Sequence, residues 1–294
     1  MNQDSSIAFV TSLKLPGFAT DDLLLVDALK QHRCQCVAMA WDDPAADWKT
    51  FDMILLRSPW NYHLLPREFS SWISSVPPEL LVNSAELVLW NMDKRYLRHL
   101  REAGTLVPST VWLDEIDDSI PHKGFDFGRS EYVIVKPSIS ASSFQTRKIN
   151  KHDLQDVIAD SRKHAPEGGM MIQEYIEEVI EGEVSLIYFG MRFSHAVLKK
   201  PKSGDFRVQS EFGGTAKVME VSQALIEEGR RILSLLPFPP HYARIDGVER
   251  EGKFVLMEAE LIEPVLFFGL SPGSAATFAR VIVDVLKQKR TITI

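Results

Sequence analysis

The chain has 294 residues, 45% hydrophobic and 25% charged, a globular composition that excludes disorder, collagen and coiled coil and suggests about two domains. Its 33 basic residues against 40 acidic ones give a net charge of -7, the wrong sign for a protein that grips a phosphate backbone. No apolar run approaches the roughly 20 residues of a membrane span, the opening MNQDSSIAFV is polar where a secretory leader is basic and then apolar, and two cysteines are too few for a disulfide framework. A cytoplasmic protein without nucleic-acid or membrane partners is therefore expected. The histidines never fall at ligand spacing, which argues against zinc.

In chain order, residues 6–11 read as a buried strand and 21–32 as a helix with apolar Leu24, Leu25, Ala28 and Leu29. Residues 34–40, with Cys34 and Cys36 on one face, and 53–57 read as two further strands. Strand, helix, strand in that order predicts a parallel sheet with helical crossovers. Ligands of such sheets gather beyond the carboxyl ends of the strands, where Arg57, Ser58 and Trp60 fall. An arginine there can grip a small carboxylate bidentately, with Trp60 and Tyr62 walling the pocket, so Arg57, Ser58, Trp60 and Tyr62 are candidate substrate residues.

A second region opens near Ser84: a helix over 93–102 stopped by Gly104, a strand over 132–136, a helix over 152–164 and a strand over 170–175. In the last third, 184–189 and 195–199 pair around Gly190 and Met191, and 222–236 is an amphipathic helix with a serine N-cap. Residues 242–248 and 253–261 form a hairpin around Arg250, Glu251 and Gly252, and a helix over 277–287 closes the chain. The expected architecture is an α/β head, a small α+β middle and a mixed α+β tail.

Four constellations carry chemistry. In the hairpin, Phe254, Leu256, Glu258 and Glu260 are expected on one face, because side chains alternate along a strand. With the turn centred on Glu251, Asp246 falls opposite Leu256 and Arg244 opposite Glu258. Three acids among Val, Leu, Met and Phe are costly to bury unpaired, and magnesium, a hard cation that takes carboxylates together with phosphates, would satisfy them. A solvated strand face with an ordinary Arg–Glu pair is the plain alternative. Second, Lys136 ends an apolar strand before a small-residue loop containing Ser140 and Ser142, an arrangement able to grip phosphate. Third, Gln173, Glu174, Tyr175 and Ile176 end a strand whose backbone can read an adenine edge, and Glu183 can accept from ribose hydroxyls. Fourth, Lys199 and Arg207 lead into Gly213 and Gly214, cations beside a flexible pair that suit an anionic intermediate, with the two glycines as further candidate substrate residues.

The order of these features resembles the ATP-grasp ligases: a lysine before a helix, Lys-Pro with a small-residue loop, Gln-Glu-aromatic-Ile, Gly-Glu, Arg then Gly-Gly, Asp, and Glu-x-Glu. The chain is most similar to the branch of prokaryotic glutathione synthetase and, more closely, of the cyclo-ligase that closes the cycloserine ring. Trp41-Asp42-Asp43-Pro44, Asp47-Trp48, Phe51-Asp52, residues 57–62 and Phe69-Ser70-Ser71-Trp72 extend the likeness through the N-terminal region. The resemblance implies an ATP-grasp fold: a parallel α/β domain over 1–88, a lid subdomain over 89–185 and a mixed α+β catalytic domain over 186–294. It implies Lys94 and Lys136 as nucleotide lysines, Glu174 and Ile176 as the adenine hinge, Glu183 on ribose, and Asp246, Glu258 and Glu260 as magnesium ligands. Arg207 would face the transferring phosphoryl, Lys199 would be a neighbouring phosphate contact, and Arg244 would assist the developing oxyanion. The implied cofactors are ATP and magnesium, as two ions with manganese the substitute. The implied reaction is an ATP-dependent carboxylate–amine ligation through an acyl phosphate, on small-molecule substrates, with a homodimer as the default assembly. A non-ligating ATP-binding module and a kinase-like phosphotransferase are the competing readings. The loop over 139–143 departs from the family in being serine-rich, and Glu260 in standing where Asn is frequent.

Overall fold

The structure is a computed structural model and describes residues 4–115 and 126–292. Three sheets organise it. β1 (Ser5–Thr11), β2 (Cys34–Ala40), β3 (Met53–Leu56) and β4 (Leu81–Val82) form a parallel sheet in the order β2-β1-β3-β4. β1 and β3 are almost continuously apolar because both faces of the sheet are covered. Ile7, Phe9, Met53 and Leu55 face α1 (Asp22–Lys30), while Ala8, Val10, Ile54 and Leu56 pack with Trp41 and with Phe69 and Ile73 of α2 (Pro66–Ser75).

A second, antiparallel sheet contains β5 (Thr110–Trp112), β6 (Tyr132–Pro137), β7 (Arg147–Asn150) and β8 (Met170–Glu174) in the order β5-β8-β6-β7. Leu154 and Ile158 of α5 (Leu154–Lys163) close its core against Val133, Val135 and Ile172. The third sheet, also antiparallel, runs β11-β10-β9-β12-β13 through β9 (Glu183–Phe189), β10 (Arg192–Lys200), β11 (Thr215–Met219), β12 (Tyr242–Arg250) and β13 (Lys253–Glu260). One face of it is covered by α3 (Ala85–Met92), α4 (Tyr96–Glu102) and α6 (Gln223–Ser234), through Leu87, Tyr96, Leu97, Leu100, Ile232 and Leu233. Ser222 caps α6 as its sequence position suggests, its hydroxyl accepting from the Leu225 amide at 3.2 Å.

Two expected elements differ in ways that matter for the site. The helix expected from residue 93 begins at Tyr96, so Lys94 sits on the preceding turn, its amide donating to the Ser138 carbonyl at 2.9 Å. The closing helix, α7 (Ser274–Ile292), does not stay with the tail. Phe278, Ile282 and Leu286 pack against Leu25 and Leu29 of α1, in one core with Phe189 and Tyr242. The chain thus ends by clamping the head to the third sheet.

The hairpin register also differs. Asp246 lies opposite Glu258 and Arg244 opposite Glu260, because an irregularity between Asp246 and Gly247 inserts Met257 as an extra residue. A one-residue insertion exchanges faces beyond it. Phe254 and Leu256 therefore join the helix-covered core, whereas Val255 and Met257 share the opposite side with Tyr175 and Ile176. Met257, Glu258 and Glu260 all open onto one cleft. Gly247 is required at the bulge, since a Cβ there would lie 2.3 Å from the Phe254 ring.

Candidate active site

Between the second and third sheets, roofed by the head, lies a cleft of about 310 Å³. Of the residues singled out in the sequence, it gathers Trp60, Tyr62, Lys94, Lys136, Ser140, Ser142, Gln173, Glu174, Tyr175, Ile176, Glu183, Lys199, Arg207, Arg244, Asp246, Glu258 and Glu260.

The floor is an ion network carried by β9, β10, β12 and β13. Lys199 Nζ bridges Glu183 at 2.6 Å and Asp246 at 2.8 Å. Arg244 meets Asp246 at 2.9 Å and also Glu260, and Lys94 meets Glu258 at 3.1 Å and the Ser140 carbonyl at 2.7 Å. Burial opposes the charge on Asp246, but Arg244 and Lys199 outweigh it and hold the carboxyl well below the usual range. Burial likewise opposes Glu258, and Lys94 and Lys136 lower it nonetheless. For Glu260, burial prevails over Arg244 and the carboxylates of Asp246 and Glu258 add to it, lifting the group to about 7. A carboxyl held up in that way marks a cluster short of positive charge. With oxygen donors of three acids on one strand pair, the set suits a hard divalent cation. In their present pairing these acids are engaged by Lys94, Lys199 and Arg244, and no group of three His, Cys, Asp or Glu converges as a metal cage among the described residues.

Lys136, at the end of β6, differs from the other lysines of the cleft. Lys94 and Lys199 are ion-paired, whereas Lys136 has no hydrogen bond or salt bridge to a described residue, and burial pulls its ammonium down to about 8 against the pull of Glu258. Beside it, Ser142, Ser143 and Gln145 adopt φ of 48°, 55° and 52°, the left-handed region that glycine usually supplies. The loop thus takes a glycine-like path despite its serines. An unpaired, desolvated ammonium is suited to a polyanion. Lys136→Ala should weaken binding of a non-hydrolysable ATP analogue roughly 10–100-fold, as loss of a charge-assisted contact does. Lys163→Ala, exposed on α5, should leave affinity unchanged; equal affinity in the two variants would remove Lys136 from the nucleotide site.

Glu174 ends β8 with its carboxylate against Arg250 at 2.8 Å, which leaves the backbone through Tyr175 and Ile176 at the cleft wall. Gln173 is anchored to the Thr110 hydroxyl at 3.1 Å. Arg207 is clamped by Asp205 at 2.8 Å and lies 3.7 Å over the Phe212 ring.

Four expected substrate residues are placed elsewhere. Arg57 is 2% exposed and lines no described cavity; its Nε donates to Asp22 at 2.8 Å and an Nη to the Pro264 carbonyl at 3.0 Å. It joins head to tail because α1 supplies a buried acid beside it. Ser58 is fully buried, its amide tied to the Val10 carbonyl. Gly213 and Gly214 lie off the cleft, forming a tight turn in which a Cβ at 214 would sit 2.2 Å from the Val208 carbonyl.

A residue that sequence reasoning missed is Glu263, in the irregular segment after β13. Six successive carbonyls of this segment each accept from a distant side chain. Asn83 holds Leu261, the Tyr242 hydroxyl Ile262, Trp60 Glu263, Arg57 Pro264, Arg244 Val265 and His195 Leu266, at 2.8–3.3 Å. Backbone that leaves a sheet needs such partners when buried. The only sequence signal was Pro264, which announces the end of the strand.

Residues 7–91 match the family model described as D-cycloserine synthetase DcsG, N-terminal domain, and residues 124–236 match that of the prokaryotic glutathione synthetase, ATP-grasp domain. The cycloserine biosynthesis protein DcsG of Streptomyces lavendulae is 27% identical over 261 residues, covering 84% of this chain and 87% of that protein. The crystal structure of D-cycloserine synthetase DcsG superposes with a TM-score of 0.81 at 24% identity, covering 96% of this chain and 99% of the other. D-alanine--D-alanine ligase from Bacillus anthracis gives 0.64 at 14% identity, with 98% of each chain covered. The chain thus has the ATP-grasp fold and is an ATP-dependent ligase, similar over residues 7–91 to the N-terminal domain of D-cycloserine synthetase and over residues 124–236 to the ATP-grasp domain of prokaryotic glutathione synthetase.

Proposed function

We propose that the enzyme activates the carboxylate of a small amino-acid-like substrate as an acyl phosphate and passes the acyl group to a nitrogen nucleophile, releasing ADP and phosphate. The observation that carries this reading is the juxtaposition, in one cleft, of Asp246 facing Glu258 across β12 and β13 with Lys94 and Lys136 beside them. That charge set suits a metal–triphosphate and an incoming carboxylate, two anions that repel until cations lie between them.

A carboxylate oxygen attacks the γ-phosphorus, the bond to the bridging oxygen breaks, and ADP leaves with that electron pair. The nitrogen then attacks the acyl carbon, phosphate departs, and the nitrogen gives up its proton. Lys136 and Lys94 hold the phosphates, the backbone at Glu174–Ile176 borders the adenine, and Glu183 accepts from the ribose. Arg207, together with Arg244 on the same cleft, stabilises the oxyanion that develops at the acyl carbon. Asp246, Glu258 and Glu260 would hold two magnesium ions, which supply charge neutralisation at the phosphates. No side-chain nucleophile is needed. The lid, built around the second sheet, keeps water from the acyl phosphate by closing over the cleft. The N-terminal match to D-cycloserine synthetase supports an amino-acid-derived acid and a place in specialised metabolite synthesis, in the cytoplasm.

The test is an ADP-release screen with amino acids and short peptides, first singly and then in pairs. Phosphate release that requires an amine supports ligation. Release from a single acid with a stable phosphorylated product, unaffected by any amine, supports a kinase instead.

A further inference from the structure

Every other partly or fully buried carboxyl of the cleft has a cationic partner: Glu174 has Arg250, Glu183 and Asp246 share Lys199, Glu258 has Lys94 and Glu260 has Arg244. Glu263 opens onto the same cleft, and no salt bridge joins it to a described residue; its own backbone amide donates a hydrogen bond to its carboxyl. Its backbone is fixed before and after it, by the Tyr242 hydroxyl on the Ile262 carbonyl and by Trp60 and Arg57 on the Glu263 and Pro264 carbonyls, which sets where the side chain leaves the chain. The head places Trp60 and Tyr62 on that cleft wall.

Resting on the ligase reading above, we infer that Glu263, with Trp60 and Tyr62, is the recognition site for the free ammonium group of the amino-acid substrate. A carboxylate supplies the counter-charge and hydrogen-bond acceptors that an ammonium requires, and aromatic walls add cation–π attraction while excluding water. Half-buried on the cleft and without a salt bridge to a described residue, the Glu263 carboxylate gains most from an incoming cation, as Glu258 does from Lys94. The head contributes the walls and the tail the charge, so the substrate's amino end is read at their junction while its carboxylate lies toward Lys136. Specificity for an amine would then reside in one residue that no described protein cation occupies.

The experiment measures ADP release, with binding followed by tryptophan fluorescence in the presence of a non-hydrolysable ATP analogue. The probes are D- and L-amino acids and the 2-hydroxy acids with the same side chains. Wild-type enzyme should prefer an amino acid over its hydroxy counterpart by at least about 100-fold in kcat/KM. Glu263→Gln should raise the amino-acid KM about 10–100-fold and erase most of that preference, with the analogue's affinity unchanged, and Glu263→Asp should restore part of it. A preference that survives in Glu263→Gln overturns the assignment and leaves the ligase reading standing. Lost nucleotide or magnesium affinity in the variant also overturns it, by making Glu263 a metal ligand. No ADP release with any amino acid by nucleotide-binding wild-type enzyme overturns the ligase reading and this inference with it.

Discussion

Replacing Glu258 by Gln should lower ATP turnover between about 100-fold and 1000-fold, the range found when one preorganised electrostatic group is removed from a closed site. The substitution keeps the shape of the side chain, and β13 is held by its alternate residues, Leu256 and Ala259, which are buried in the helix-covered core. Thermal unfolding should therefore change little. Two losses account for the size of the effect. Lys94, 3.1 Å away and almost fully buried, loses its carboxylate, and the pair Asp246–Glu258 across the hairpin no longer offers two charged oxygen donors to a divalent cation. The measurement is steady-state ADP release as a function of magnesium, with the affinity of a non-hydrolysable ATP analogue determined with and without the metal. Wild-type affinity should rise on adding magnesium and the variant's should not. Normal turnover with normal magnesium dependence would show that this face only pairs with lysine.

Much of this site was legible in the sequence because its chemistry sits on strands, where alternation and burial constrain residue type. Lys136 after Val133-Ile134-Val135, Glu174 at the end of an apolar run, and Glu258 and Glu260 beside Met257 stood out because charge at the edge of an apolar strand is costly without a function. What alternation could not reveal was the bulge. Counting outward from Glu251 assumes one residue opposite one, and Met257 breaks the count, so Asp246 meets Glu258 rather than Leu256. The error left the acids in the right cleft but put Phe254 and Leu256 on the wrong side of the sheet.

Other misses have a different origin. β5 and β7 are three and four residues long, too short for periodicity to speak. Their sheet exists because β6 and β8 between them are buried on both sides. The segment after β13 has no period at all; its conformation is written in Asn83, Trp60, Arg57, Tyr242, Arg244 and His195, scattered over more than 180 positions of sequence. Only three-dimensional proximity makes them a set. The position of Glu263 follows from that set.

Arg57 belongs to it, and its replacement by Ala should lower stability by about 3–5 kcal/mol, the cost of removing one partner of a buried ion pair, or roughly 10 °C in melting temperature. The guanidinium, 2% exposed, is the counter-charge of Asp22 on α1, lies 5.7 Å from the Tyr242 ring centroid and holds the Pro264 carbonyl. Without it, Asp22 keeps its desolvation with no compensation. Burial already raises that carboxyl despite Arg57, and in the variant it should rise further. A folded-state pKa above the unfolded value means that the folded protein binds the extra proton, so stability falls as pH rises through it and recovers as pH drops. The deficit of Arg57→Ala relative to wild type should accordingly be largest near neutral pH and shrink in acid. Kinetically, release of Pro264 loosens the whole segment, with Glu263 on one side and, through the Val265 carbonyl, Arg244 and its acids on the other, so amino-acid and nucleotide parameters should worsen together with the melting temperature. A direct substrate contact would behave otherwise: the KM for the acid would rise at unchanged stability, with no pH dependence in the unfolding difference. Lysine at 57 separates charge from geometry, since it can neutralise Asp22 but cannot reach both Asp22 and Pro264 with a planar fork. Arg57→Lys should recover the acid-sensitive part of the loss and leave the rest.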